Sequence, residues 1–155
     1  WKGLFTLQPM IDFLKTKLPH RIEDLPMPFG IAVVDQDKRH RILTSGPLAE
    51  SVAASCAVPF LFQPIIIEGK RYQDGGVTDR LGLSAWQKLH PNQTYCVHQV
   101  SRTRGKDQDH NLAQQIVVHS ERSYAKLWDL GPFDQQIDES YQRAAQVFAT
   151  HMNTK

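Results

Sequence analysis

The sequence predicts an α/β fold, on three observations. Residues 30–34 (Gly-Ile-Ala-Val-Val) form a continuous apolar run with β-branched members, the pattern of a strand covered on both faces. Ile65-Ile66-Ile67 and Arg71-Tyr72-Gln73 are two further strand-like runs, joined across Glu68-Gly69-Lys70, where glycine favours a tight hairpin. Helical spacing stands at both ends of the chain. Ile11, Leu14 and Leu18 recur at three and four near the start, and Ile137, Tyr141, Ala144, Ala145 and Phe148 make one stripe near the end. Strands and helices mixed in this way belong to the α/β class.

The elements follow in order. Pro9 suits the first position of a helix, and Pro19 stops it. Residues 21–28 hold two prolines and form a connecting loop. The strand at 30–34 turns at Asp35-Gln36-Asp37-Lys38 and returns over 39–44, a hairpin candidate. Ser45 is suited to cap the next helix, with Pro47 in its first turn. That helix is rich in small residues (Ala49, Ser51, Ala53, Ala54), which allow close packing, and Pro59 ends it. Residues 83–89 read as a short helix and 94–100 as a strand. Residues 101–111 are polar and charged, an exposed loop. Residues 112–127 fit either one helix or a helix interrupted at Ile116-Val117-Val118. Gly131-Pro132-Phe133 is a turn, after which Asp134 caps the final helix.

Composition narrows the function. Among 155 residues, 41% are hydrophobic and the net charge is +2, so a globular chain is expected. One domain of this size buries roughly 70% of its unfolded surface. No Lys/Arg run is long enough to follow a phosphate backbone, which argues against nucleic-acid binding. Cys56 and Cys96 are the only cysteines. They make neither a disulfide framework nor a zinc site and fit a reducing, cytoplasmic setting. No run approaches the ~18 apolar residues of a membrane span. The seven histidines are scattered, so no metal site is expected. No dinucleotide or Walker-type glycine loop is present, and no cofactor is expected. The first residue is Trp1 rather than Met, as in a chain that begins inside a longer reading frame or has been trimmed.

The stretch with the most chemistry in it is Tyr72-Gln73-Asp74-Gly75-Gly76. Asp and Gly are poor strand residues, so the strand ends there. Gly75 and Gly76 permit positive φ and carry no Cβ. The outcome is a carboxylate on a sharp turn, with bare backbone around it. An ordinary tight turn uses the same residues. No G-x-S-x-G elbow occurs in the chain. Asp74 is therefore a candidate base without an evident nucleophile.

The context of Asp74 is more specific. The helix ending Ala53-Ala54-Ser55-Cys56-Ala57-Val58-Pro59, then Phe60-Leu61-Phe62-Gln63-Pro64-Ile65, is followed at the right distance by Gly69-Lys70-Arg71-Tyr72-Gln73-Asp74-Gly75-Gly76. In order and separation these two motifs resemble those of patatin-like phospholipases. Leu25-Pro26 and Gly131-Pro132-Phe133-Asp134 resemble other parts of such domains, so the resemblance spans nearly the whole chain. It implies a three-layer α/β sheet with helices on both faces, incomplete at the N-terminus, residues 1–155 being the C-terminal portion of a single domain. It also implies a lipid acyl-ester hydrolase with a Ser–Asp dyad, in which Asp74 is the catalytic general base and Gly75 and Gly76 support the motif. The family's G-x-S-x-G serine and glycine-rich oxyanion loop would lie upstream. Past the motif, where the family often has Asn and Pro, this chain has Arg80 and Gly82.

The resemblance implies a lipid or other ester as substrate, met at a membrane surface. The missing N-terminal segment or a second copy is the expected partner. Phe60, Leu61, Phe62 and residues 65–67 are expected in the core, with some of them lining an acyl pocket. An alternative from another class is a non-catalytic remnant serving as a binding or assembly module. Reading the coding sequence upstream of Trp1 for G-x-S-x-G separates the two. Because no activated nucleophile is present, residues 1–155 alone should not hydrolyse a chromogenic short-chain ester or react with a fluorophosphonate probe. Turnover with stoichiometric labelling of one serine would refute this.

Overall fold

A computed structural model describes residues 3–101, 115–122, 129 and 131–152. The chain divides into two compact units, Trp1–Pro91 and Asn92–Lys155.

In the first unit, helix α1 spans Gln8–Lys15 with proline in its first turn. It ends sooner than the apolar spacing suggests. The N–H groups of Lys17 and Leu18 both bond Leu14 O, and the approach of Pro19 disfavours another helical turn. Ile11 is buried, with Met10 and Leu14 packed beside it. The loop at 21–28 holds one 3-10 turn, Ile22–Asp24.

Four strands follow: β1 Ile31–Asp35, β2 His40–Leu43, β3 Ile65–Ile67 and β4 Lys70–Asp74. Their order is β2-β1-β4-β3, and every pair is antiparallel. The β1–β2 pair is the hairpin expected from the turn at residues 35–38, and β4 flanks β1 on its other side. A continuous apolar run suits such a central strand, covered on both faces. The β3–β4 hairpin turns through Glu68 at φ 50 and Gly69 at φ 76, as a two-residue hairpin turn requires.

Helix α2, Leu48–Ser55, begins two residues later than its capping signal at Ser45 implies. Pro47 occupies the capping position and no side chain caps it, so Ser45 does not serve as the N-cap. The turn is made by Gly46 at φ 110, whose N–H donates to Glu23 Oε2 at 2.8 Å. Ala53, Ala54 and Ala57 are wholly buried. They form one cluster with Ile31, Val33, Ile65 and Ile67. Ser51 is equally buried but returns its hydroxyl to Pro47 O at 2.7 Å. Such residues bring the helix axis close to the sheet, where larger ones would hold it off. Lys15 Nζ joins Glu50 Oε1 at 2.6 Å, linking α1 to α2. Helix α3, Leu83–Leu89, starts after Gly82 at φ 62. Its Trp86 ring lies where a Cβ on Gly30 would be, 2.4 Å away.

In the second unit, β5 Cys96–Val100 runs parallel to β6 Ile116–Ser120. The Ile-Val-Val run is therefore strand, in keeping with its β-branched residues, and not helix. The rest of the 112–127 stretch lies outside the described residues, except 115, 121 and 122. Of the expected 101–111 loop, only Ser101 is described. Helix α4 spans Phe133–Met152. Asp134 lies inside its first turn, where a negative charge suits the N-terminus. The stripe expected to be buried is exposed: Ile137 at 60% and Tyr141 at 70%. Ala144 alone of the stripe is half-covered, and the other half-covered residues of the helix are Gln136, Ser140, Arg143, Val147 and His151. Among the described residues, no helix is long and apolar enough to cross a membrane.

Glu23 offers a test of how the loop before β1 is held. Its carboxylate accepts from its own backbone N–H and from Gly46 N–H, and then pairs with Arg21 at 2.7 Å. These contacts hold its pKa at about 2, below an ordinary 4.5. A depressed folded-state pKa gives stability that is complete above the unfolded value and lost as pH falls through the folded one. Glu23→Gln should therefore lower the melting temperature at neutral pH. The gap to wild type should narrow from about pH 4.5 down to about pH 2. A gap that stays constant over that range would contradict the assignment.

Candidate active site

Asp74 is the last residue of β4 and stands opposite Val33 of β1. Its backbone N–H donates to Ala57 O at 3.1 Å. The strand end is thus fastened on one side to the central strand and on the other to the chain leaving α2. The side chain is half-buried. Oδ1 accepts from Gly76 N–H at 2.8 Å, and the carboxylate caps a 3-10 turn over Gly75–Val77. Among the described residues, Oδ2 accepts no hydrogen bond. One oxygen is therefore held in place by the backbone, while the other remains able to accept a proton.

The two glycines serve this turn differently from the sequence expectation. Neither has positive φ. Gly75 is buried, and a Cβ on it would stand 2.7 Å from the carbonyl carbon and oxygen of Ala32 and 2.9 Å from Val33 N. Its requirement is close approach to β1. A Cβ on Gly76 would stand 3.1 Å from Asp74 Oδ1, so this glycine keeps the carboxylate against its own turn. Gly75 O then gathers the N–H groups of Thr78 and Asp79 and the Thr78 hydroxyl.

Three further residues bear on the Asp74 turn. Ala57 acts through its carbonyl, which leaves no trace in side-chain patterns. Cys56 is an exposed residue, yet protein atoms crowding its sulfur push its thiol pKa up, and the Asp74 charge adds to that rise. The Asp74 charge is thus felt at the end of α2. Asp79 is the third, only 5% exposed. Its Oδ1 accepts from Leu81 N–H at 3.2 Å. Its place just past the Asp-Gly-Gly turn was the one available signal.

The apolar residues beside the site divide. Ile65 and Ile67 are core, whereas Ile66 is 65% exposed and Phe60 66% exposed. Phe62 packs against the core from its edge and tilts against Phe5 at 6.4 Å between ring centres. Leu61 is half-buried. The core expectation therefore fails at Phe60 and Ile66. For Ile66 the cause is strand alternation. Among the described residues, no group of three His, Cys, Asp or Glu side chains could hold a metal ion.

The close approach at Gly75 can be tested. Gly75→Ala should lower stability by roughly 1–3 kcal/mol, the usual cost of forcing atoms into a packed interior. Gly76→Ala should cost less, because the Asp74 carboxylate can give way by a few tenths of an ångström. Thermal unfolding of both variants checks the order. Equal stability of Gly75→Ala and wild type would refute the steric account.

The comparisons bear on the same segment. The family model described as patatin-like phospholipase matches residues 2–85, more than half of the chain. The match contains α1 to α2, the four-stranded sheet and the Asp74 turn, and it ends before Gly131-Pro132-Phe133-Asp134. An uncharacterized NTE family protein of Mycobacterium bovis is 24% identical over 140 residues, which is 88% of this chain. An uncharacterized NTE family protein of Mycobacterium tuberculosis matches with the same identity and extent. The chain spans 39% of the length of these relatives. With its Asp-Gly-Gly turn inside a family match that covers the whole of the first sheet, the chain belongs to the patatin-like phospholipase family.

Proposed function

We propose that this chain is the C-terminal portion of a lipid acyl-ester hydrolase domain, with Asp74 as its general base. The nucleophilic serine comes from a segment outside these 155 residues. The substrate is a phospholipid, lysolipid or related carboxylic ester, met at a lipid–water interface. The domain is a three-layer α/β arrangement, a reading supported by α2 against the Ile31 and Val33 face and by α3 meeting β2 near His40 and Ile42. The exposed thiols Cys56 and Cys96 favour a reducing, cytoplasmic setting.

The observation that carries the proposal is the asymmetric holding of the Asp74 carboxylate. Gly76 N–H orients Oδ1 at 2.8 Å, and Oδ2 is left for a proton. A carboxylate is a weak base toward a hydroxyl. It suffices when it is positioned, because the proton moves as the serine oxygen attacks the ester carbonyl. Asp74 would take that proton and pass it to the departing alcohol. It would then take a proton from water as the water attacks the acyl-enzyme, and return it to the serine.

In the complete protein, Asp74→Asn keeps the shape and the Oδ1 contact but removes the base. General-base assistance contributes typically ~10²–10⁴-fold, so kcat should fall by at least roughly 10²-fold with thermal unfolding little changed. Asp79→Asn should act the other way, moving the unfolding temperature more than kcat, because that side chain is buried in the turn. Retention of most activity by Asp74→Asn, or loss that merely tracks unfolding, would sink the proposal.

A further inference from the structure

The second unit holds a cavity of about 130 Å³ at the carboxyl ends of β5 and β6. His98 and Ser120 line it from the strands, Glu121 and Arg122 from just past β6, and Glu139, Ser140 and Arg143 from α4. From this convergence we propose that the unit binds a phosphate group, held by Arg143 and Arg122 with His98, Ser120 and Ser140 around it. This does not rest on the hydrolase reading and concerns different residues.

The strand ends are a natural place for a ligand. β5 and β6 are parallel, with Val100 opposite Ser120, and ligands of parallel sheets gather beyond the carboxyl ends of the strands. Ser120 is 6% exposed, and its Oγ shares a 2.8 Å hydrogen bond with His98 Nε2. That bond fixes the hydroxyl and the ring on one side of the cavity. Ser101 N–H donates to Ser120 O at 2.8 Å, which fixes the backbone beneath. Arg143 approaches from the opposite side. A guanidinium presents a planar fork of donors matched to phosphate oxygens.

Two carboxylates, Glu121 and Glu139, also line the cavity. Glu121 reaches Arg143 at 3.8 Å, with its own side chain 71% exposed. A long surface pair of this kind holds its partners loosely, so an entering anion can replace it. Glu139 accepts from Gln135 Nε2 at 2.9 Å. The helix itself is turned in an unusual sense. Its apolar residues Ile137 and Tyr141 face outward, and Gln136, Ser140 and Arg143 line the cavity. A local rule broken in this way is expected where function sets the sequence. Donors from two strands and a helix surround the space on several sides. That arrangement suits a tetrahedral anion, whereas one arginine fork alone satisfies a planar carboxylate.

The test uses the full 155-residue chain. Titrate it with inorganic phosphate, with glycerol 3-phosphate and with acetate by isothermal calorimetry, following the His98 ring signals by NMR. Phosphate should bind with Kd on the order of 1 mM or tighter and perturb His98. Arg143→Gln should weaken it by at least ~10-fold, with far-UV circular dichroism unchanged. Arg143→Lys, which keeps charge but loses the fork, should fall between. Asp74→Asn should bind as wild type does, so a failure of the hydrolase reading leaves this result intact. Co-sedimentation with phosphatidylcholine vesicles, with and without phosphatidic acid, identifies the source. Arg143-dependent binding to the phosphatidic acid vesicles marks a lipid headgroup, and binding of soluble phosphates alone marks a free ligand. No saturable phosphate binding, acetate binding as tight as phosphate, or binding indifferent to Arg143→Gln would each overturn the proposal.

Discussion

The contact between Gly75 and the backbone of β1 is the constraint on which the first unit depends. At the end of β4 the chain must leave the sheet while Asp74 is still paired with Val33. It does so by passing within a hydrogen's width of Ala32 and Val33. Any side chain there would push β4 from the central strand. It would also strain the bond from Asp74 N–H to Ala57 O. Sheet closure, the anchoring of α2 and the position of the carboxylate are thus set by one missing methyl group.

The small residues of α2 extend the same logic. Ala49, Ala53, Ala54 and Ala57 bury almost completely against β1 and β3. Apolar area of this kind stabilises at roughly 25 cal/mol per Å², and each alanine contributes little on its own. Their larger effect is on distance, since a helix faced with alanine comes near enough for Ala57 O to reach the end of β4. The polar turn at Asp74 and the apolar core at Ala53 therefore depend on each other. A change that thickened α2 would be felt at the carboxylate although it touched neither Asp74 nor its turn.

How much of this was legible depended on what each signal encodes. The strand end at Asp74 was legible, because Asp-Gly-Gly after Arg71-Tyr72-Gln73 leaves few conformations open. The hairpin at Gly69 and the stop of α2 near Pro59 were legible for the same reason. The reason for Gly75 was not, since a glycine needed for close approach looks in sequence like one needed for positive φ. Of the neighbours of β1, β2 was legible from the polar turn at residues 35–38, whereas nothing in Ile31 to Val34 pointed to β4 on the other side. Ser45 carried a capping signal that Gly46 and Glu23 made unnecessary by turning the chain with a backbone bond. The candidate site was read as one carboxylate. The carbonyl of Ala57, which accepts from Asp74 N–H, leaves no trace in any side-chain pattern.

Helix α4 is the place where pattern and packing part most clearly. Its strongest periodic signal, Ile137 to Phe148, marks a face that stays exposed within the described residues, and its half-covered residues include an arginine and a glutamine. Hydrophobic periodicity predicts burial only where the gain from burying apolar area outweighs the cost of leaving polar neighbours unmatched. Here the strands opposite end in His98 and Ser120, which share a bond of their own. A polar strand end asks for a polar helix face, because an unmatched buried polar group costs more than an exposed aliphatic one loses. The side of α4 that meets β6 is therefore the one that can satisfy hydrogen bonds.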